Sequence, residues 1–135
     1  MPPTHRLVLV LVDRLDLRAE RALEEAWRIP AQERRALHVA VDEEHVWALA
    51  DGWMSRRPAL PLHMVENEGG VGASVRRVVE HELDTGFDEV VVLMGRLEVR
   101  SPFLRWLHDR TADAIAASLA GLPRVTTAVT TVALV

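Results

Sequence analysis

Several polar side chains follow a strongly apolar run in the second half of the chain, and they are the residues best suited to contact a ligand. Residues 90–94 are all apolar, and the run ends at a glycine. Amides exposed beside a glycine, together with imidazole and hydroxyl groups, can hold a phosphate or a ribose. The candidate ligand contacts on this stretch are Gly95, Arg96, Glu98, His108, Asp109 and Thr111.

A second apolar run, residues 7–12, ends at Asp13. Runs without polar alternation are typical of strands that are buried on both faces in the middle of a parallel sheet. Ligands of such sheets bind outside the carboxyl ends of the strands, where the strand order reverses. We therefore expect Asp13 and Gly95 to share a crevice. The alternative interpretation is that Asp13 caps a helix that begins near Leu15.

Residues 108–111 lie where a helix is predicted to begin or to cross this crevice. In one interpretation His108 and Thr111 donate hydrogen bonds to a phosphate or a ribose. In the other, Asp109 is the N-cap of the helix and His108 packs against Trp106. Both interpretations remain open at the level of the sequence.

A glycine-rich loop, residues 66–72, precedes another predicted helix that carries Arg76 and Arg77. Free amides at a helix start with arginines one turn later form a workable anion cradle. The loop lacks the Gly-Lys-Ser/Thr of a P-loop, so an ordinary turn is the competing interpretation.

Apolar runs alternate with helical stripes along the whole chain, which predicts a single α/β domain over residues 1–135. With the two most apolar strands as central neighbours, the sequence predicts a three-layer, doubly wound sheet of five parallel strands in the order 3-2-1-4-5 with four helices. The predicted strands cover residues 6–13, 37–41, 60–65, 87–97 and 124–135. The predicted helices cover residues 14–28, 42–57, 73–86 and 102–121.

The last predicted strand falls at an edge of this sheet and is rich in valine and threonine. It carries no charge or proline along residues 125–132, and such an edge invites pairing with another chain. We therefore predict a homodimer through this strand. The candidate interface residues are Val125, Thr127, Val129 and Thr131.

The composition excludes several classes of protein. The net charge of -4 and the scattered arginines exclude a nucleic-acid or anionic-lipid binder. The chain has no cysteine, which excludes disulfides and thiolate chemistry, and no lysine, which excludes a lysine nucleophile. No apolar stretch approaches the roughly 20 residues that span a bilayer. With no signal-peptide pattern at its start, the chain is expected to be cytoplasmic.

Aromatic and acidic residues on the predicted helices suggest roles in packing. Trp27, Trp47 and Trp53 are expected in the core or at a dimer contact, and Trp106 is a candidate stacking surface. Residues 80–82, Glu-His-Glu, are expected to form a solvated face rather than a metal site.

The spacing after Gly95 resembles the nucleotide signature of the universal stress protein family. That signature has a glycine after strand four, two residues, a glycine, nine residues, and then a glycine and a serine or threonine that open the last helix. The same spacing reaches Glu98, His108 and Asp109 here, so the register is kept while three of the four signature residues are replaced. The resemblance also implies that Asp13 lies near an adenosine.

A second resemblance covers most of the chain and is to the C-terminal cytosolic domain of APC-superfamily permeases. It rests on residues 5–16, residues 37–42 and residues 106–125. Before the last helix such tails commonly read His-Asn-Gln-Thr-Ala, where residues 108–112 read His-Asp-Arg-Thr-Ala. The resemblance implies the stress-protein fold, a dimer and, as in some potassium-importing permeases, binding of cyclic di-AMP to inhibit transport.

The leading hypothesis is a non-catalytic cytosolic regulatory domain of an APC-family amino acid or potassium transporter. Such a domain is expected to dimerise, to sense an adenine nucleotide or a cyclic dinucleotide, and to be attached to a transmembrane transporter domain. One alternative is a free-standing universal stress protein that binds a nucleotide constitutively. Another is a hydrolase or phosphotransferase that uses Glu98, His108 and Asp109 as acid-base groups.

Overall fold

The computed structural model describes residues 5–56, 59–98 and 110–133. The strands are β1 (Arg6–Leu11), β2 (Glu33–Ala40), β3 (Leu62–Glu66), β4 (Glu89–Glu98) and β5 (Val125–Ala133). The helices are α1 (Leu17–Ala26), α2 (Glu43–Arg56), α3 (Val71–Thr85) and α4 (Arg110–Leu119). Strands and helices alternate along the chain, as the hydrophobic pattern predicts.

All five strands lie in one parallel sheet in the order β3-β2-β1-β4-β5. The predicted order is confirmed, and β1 and β4 are the central neighbours that their unbroken apolar runs indicate. The strand order reverses between these two strands, so the carboxyl ends of β1 and β4 open onto the switch point of the sheet.

Two apolar clusters cover the two faces of the sheet, which confirms the three-layer arrangement. On one face, Val75 and Val79 of α3 and Ile115 of α4 pack on alternate residues of the central strands. On the other face, the alanines of α1 and Trp53 of α2 pack on the intervening residues. Because successive side chains of a strand point to opposite faces, one apolar strand supplies both clusters.

The β4–β5 pair extends beyond the rest of the sheet. β1 runs beside β4 from Glu89 to Met94, six residue pairs. β5 runs beside β4 for nine residue pairs, from Val90 to Glu98. Within the described part of the chain, the last residues of β4 therefore have β5 as their neighbouring strand.

The start of α1 differs from the prediction. The helix begins at Leu17 because Asp16 is its N-cap: Oδ1 of Asp16 accepts a hydrogen bond of 3.1 Å from the backbone N–H of Ala19. The interpretation of Asp13 as the helix cap is wrong, since the capping carboxylate lies three residues further along. Burial alone raises the pKa of Asp16, but hydrogen bonds from Arg18 and Ala19 stabilise the carboxylate, so the net pKa lies below its ordinary value of 3.8.

The second strand is longer than predicted. It begins at Glu33 rather than at residue 37, because the charged residues at its start find partners. The guanidinium of Arg34 donates to the carbonyl oxygens of Ala26 and Ile29. The guanidinium of Arg35 donates to both carboxylate oxygens of Glu82, with a shortest distance of 2.6 Å.

The position of Glu82 also differs from the prediction. The carboxylate was expected on a solvated face, but Glu82 is buried against Arg35. The hydrogen bond that Arg35 donates to the carboxylate of Glu82 is the largest cause that raises the pKa of Arg35 above its ordinary value. The pair joins β2 to α3 near the amino end of the sheet.

The tryptophans divide between core and surface. Trp53 is buried, and its indole N–H donates to the carbonyl oxygen of Leu60. Trp27 and Trp47 are 51% and 70% exposed, so the core position is excluded for them and a dimer contact stays a prediction. Among the described residues, no helix is long and apolar enough to cross a membrane.

Candidate functional site

A cavity of about 410 Å³ opens at the carboxyl ends of β1, β2 and β4. This volume falls within the range of small-molecule sites in proteins. The first turn of α1 and the helices α3 and α4 close its sides. The lining residues used below are Asp13, Arg14, Arg18, His38, Met94 and Gly95.

The structure brings Asp13 and Gly95 together as predicted, since both line this cavity. The Asp13 side chain is 68% exposed, and its Oδ2 lies 3.7 Å from the Nε of Arg14. Asp13 and Arg14 also line a larger surface cavity of about 770 Å³ beside the start of α2. Asp13 and Arg14 therefore lie between the two cavities, and the exposed carboxylate of Asp13 borders both.

Gly95 has a packing role that the sequence alone did not reveal. A β-carbon at this position would lie 2.5 Å from the backbone carbonyl oxygen of Arg18. The backbone of β4 therefore approaches the first turn of α1 more closely than any other residue type permits. Gly95 fixes the width of the cavity at this point by letting α1 rest on β4.

His38 is the residue that the sequence analysis missed as a member of the site. It lies on β2, lines the cavity and is 2% exposed. Its Nδ1 lies 2.8 Å from the carbonyl oxygen of Val12, at the end of β1. Its Nε2 is buried and has no hydrogen-bond partner in the described part of the chain. The signal in the sequence is one imidazole inside the otherwise apolar residues 36–41.

The remaining candidates lie at or beyond the limits of the described residues. Arg96 and Glu98 lie on β4, and Thr111 lies on α4. His108 and Asp109 lie outside the described residues, as does Trp106. Their assignment to the cavity stays a prediction, supported by the position of the two elements that flank them.

The arginines after the glycine-rich loop contact acceptors of the protein itself. Arg76 donates to the carboxylate of Glu80 and to the carbonyl oxygen of Ser118. Arg77 donates to the carbonyl oxygen of Glu68. This arrangement favours the interpretation of the loop as a turn that fixes α3. No group of three or more His, Asp or Glu residues in the described ranges is arranged to hold a metal ion.

The fold and the cavity define a doubly wound α/β domain with a ligand-sized opening at its switch point. A family model described as the KimA potassium transporter C-terminal domain matches residues 3–133. The chain therefore belongs to this family of transporter C-terminal domains, which confirms the transporter part of the permease resemblance. No curated protein matches the chain.

Proposed function

We propose that the chain is a non-catalytic, cytosolic regulatory domain of a potassium transporter and that it binds an adenine nucleotide or a cyclic dinucleotide. The ligand occupies the cavity at the carboxyl ends of β1, β2 and β4. The observation that carries the proposal is this cavity at the switch point of the sheet, in a chain that belongs to a transporter family. The family match favours this function over a free-standing stress protein.

The lining of the cavity suits a nucleotide. Its inner part is apolar, with Leu37, Val39 and Met94 among its residues, and an apolar wall accommodates the faces of a base. Arg14 lies at its rim with an exposed guanidinium that supplies positive charge for phosphate oxygens, whereas the guanidinium of Arg18 pairs with Asp16. Asp13 is placed to accept hydrogen bonds from the hydroxyls of a ribose.

The domain acts by population shift and needs no chemical step. A ligand changes the attached transporter only if its affinity differs between the domain arrangements of the active and the inhibited transporter. A tenfold difference in affinity changes the free-energy difference between those arrangements by about 1.4 kcal/mol.

The first experiment is a binding panel. The purified chain is titrated with ATP, AMP, cyclic di-AMP and cyclic di-GMP in a thermal-shift assay and by calorimetry. A ligand that binds only the folded state at 100 times its Kd stabilises the chain by about 2.7 kcal/mol, which is a readily measured rise in Tm. Inorganic phosphate is the control for charge alone. If none of the four nucleotides raises Tm or releases heat, the proposal of nucleotide sensing is refuted.

We also propose that the domain dimerises through β5. This strand lies at one edge of the sheet, and Val129 on it is 42% exposed. A regular edge without charges favours pairing with the same edge of a second copy. Val125 and Thr127 share the face of β5 that carries Val129, because side chains alternate along a strand. Thr131 lies on the same strand and stays a predicted interface residue.

Sedimentation of the variant Val129→Lys tests the dimer. A lysine on an edge strand opposes edge-to-edge pairing, so we expect a monomer where the wild-type chain sediments as a dimer. The matched control is His63→Lys, which adds the same charge to β3 at the opposite edge and should leave the dimer intact. A wild-type chain that is monomeric at high micromolar concentration would refute this part of the proposal.

A further inference from the structure

We propose that Nε2 of His38 accepts a hydrogen bond from the exocyclic amino group of the base of the ligand. His38 would then orient the nucleotide in the cavity, with the base inward on β2 and the phosphates toward the rim. This inference rests on the proposed nucleotide-binding function and names the group of the ligand that the buried end of the cavity recognises.

The hydrogen bond to Val12 determines which ring nitrogen carries the hydrogen. A backbone carbonyl oxygen can only accept a hydrogen bond, so the contact of 2.8 Å requires that Nδ1 is the donor. In the neutral imidazole, Nε2 then has a lone pair and no hydrogen. His38 consequently presents a hydrogen-bond acceptor whose orientation is fixed by the end of β1.

That acceptor is unusual for a protein interior. His38 is 2% exposed, and its Nε2 is the single buried side-chain nitrogen or oxygen of the described residues that has no hydrogen-bond partner. The great majority of buried polar atoms are paired, and one that is not costs free energy unless a ligand or a water completes it. The ring also lines the cavity and Nε2 itself has no exposed surface, so a small shift of the lining beside the ring lets a ligand in the cavity supply the missing donor.

The chemistry of the lone pair selects the part of the ligand that binds there. Phosphate oxygens are themselves acceptors, so they are repelled by an imidazole lone pair and belong at the rim with Arg14. A ribose beside His38 would bring several hydroxyls next to Val12 and Ala19, the apolar residues on the same face of the sheet, where they would lose their hydrogen bonds to water. The amino group of adenine is a donor on a flat and otherwise apolar ring, and it satisfies both conditions.

The experiment compares two ligands and two variants. The ligands are AMP and purine riboside 5′-monophosphate, which differs from AMP in lacking the amino group; 2′-deoxy-AMP is the control for a ribose contact. The variant His38→Asn keeps a nitrogen donor at the position of Nδ1, so the bond to Val12 is retained while Nε2 is removed. The matched control is His63→Asn, the same substitution at an exposed histidine of β3.

We expect the wild-type chain and His63→Asn to bind AMP about tenfold more tightly than purine riboside 5′-monophosphate, the ratio expected for one buried hydrogen bond. His38→Asn should bind both ligands with the weaker affinity. Removing the amino group from the ligand and removing Nε2 from the protein abolish the same hydrogen bond. Histidine-selective ¹⁵N spectra give a second readout: AMP should shift the Nε2 signal of His38, and the purine analogue should leave it in place. This spectrum also decides the matter if His38→Asn does not fold.

Three results would overturn the inference. A folded His38→Asn variant that still prefers AMP over the analogue would show that another residue contacts the amino group. A loss of affinity that appears with 2′-deoxy-AMP instead of the analogue would place the ribose at His38. A wild-type chain that binds a cyclic dinucleotide but not AMP refutes this inference alone, whereas a chain that binds no nucleotide refutes the proposed function as well.

Discussion

At the amino end of the sheet Glu82 meets Arg35, and at the carboxyl end His38 meets the carbonyl oxygen of Val12. Glu82 packs against β2 and His38 lies on it, and both side chains are buried and polar. Their hydrogen bonding differs. The carboxylate of Glu82 accepts two hydrogen bonds from one guanidinium. The imidazole of His38 has a partner at Nδ1 and none at Nε2 within the described chain.

This difference separates a position that serves the fold from the position at which we propose that a ligand binds. A buried polar group that the fold satisfies completely serves the fold, because nothing else is needed to offset its loss of water. A buried group that the fold satisfies by half keeps one hydrogen-bonding atom available in a fixed direction. In this protein the half-satisfied imidazole lies at the end of the sheet where the strand order reverses, and the satisfied pair lies at the other end.

The largest expected effect comes from breaking the satisfied pair with Glu82→Gln. The substitution keeps the volume and leaves the positive charge of Arg35 without its main partner, so we expect a loss of about 2 kcal/mol, less than for a fully buried pair. The measurement is urea unfolding with and without AMP. The proposed stabilisation by AMP should be unchanged, because Glu82 does not line the cavity at the carboxyl end of the sheet.

The control for this variant is Glu80→Gln, two residues earlier on α3. Glu80 pairs with Arg76 at 2.6 Å, but both side chains are more than 40% exposed. Its loss should cost less than about 0.5 kcal/mol. Equal losses for Glu80→Gln and Glu82→Gln would show that burial of the pair at the amino end has no energetic role.

The next effect in size concerns the carboxyl end, where Gly95→Ala brings a β-carbon against the Arg18 carbonyl. Forcing α1 away from β4 should cost about 1 to 2 kcal/mol. It should also weaken nucleotide binding, since Arg18 and Gly95 both line the cavity. Thermal unfolding and calorimetry with AMP measure the two effects.

Gly52→Ala is the matched control for Gly95→Ala. Gly52 lies inside α2, and a β-carbon there would meet the flexible end of the Leu15 side chain instead of a backbone. Leu15 can move, and alanine favours the helix, so we expect a much smaller change in stability. If Gly95→Ala is as mild as Gly52→Ala, then α1 does not fix the width of the cavity.

The smallest expected effect is the pH dependence that comes from Asp16, which holds α1 in place beside the cavity. Because the folded-state pKa of Asp16 lies below its unfolded value of 3.8, its stabilising contribution is present above that value. The contribution is lost as the pH falls through the lower, folded-state pKa. Asp16→Asn keeps a capping oxygen but has no charge to titrate.

Urea unfolding between pH 3 and pH 7 measures this contribution. The wild-type chain should lose more stability on acidification than Asp16→Asn, by at most about 1 kcal/mol for a partly exposed cap. Asp13→Asn is the control, since Asp13 is exposed and does not cap the helix. Identical pH profiles for wild type and Asp16→Asn would contradict the interpretation.

The sheet could be predicted because the apolar pattern of its central strands extends over whole segments of the sequence. Residues 7–12 and 90–94 are apolar at every position, and short runs of that kind are typical of strands covered on both faces. The order of the strands then follows from which of them are central. The start of α1 was missed because Asp13 and Asp16 are equally good caps in sequence, and only the hydrogen bond to Ala19 distinguishes them.

The location of the candidate site could be predicted, but the buried contact between His38 and Val12 could not. Gly95 and Asp13 could be assigned because each ends a recognisable strand. His38 and Glu82 could not, because the partners that define them, Val12 and Arg35, lie 26 and 47 residues away in the chain. A local pattern contains no information about such distant partners.

The extra length of the β4–β5 pair has a mechanical consequence. Its last three residue pairs, from Arg96 to Glu98, project about 10 Å past Gly95 and Thr130. Within the described residues, these pairs join the sheet through β4 and β5 alone. A displacement of the outer pairs would therefore pass along the two strands toward Gly95, which lines the cavity in which a nucleotide is proposed to bind.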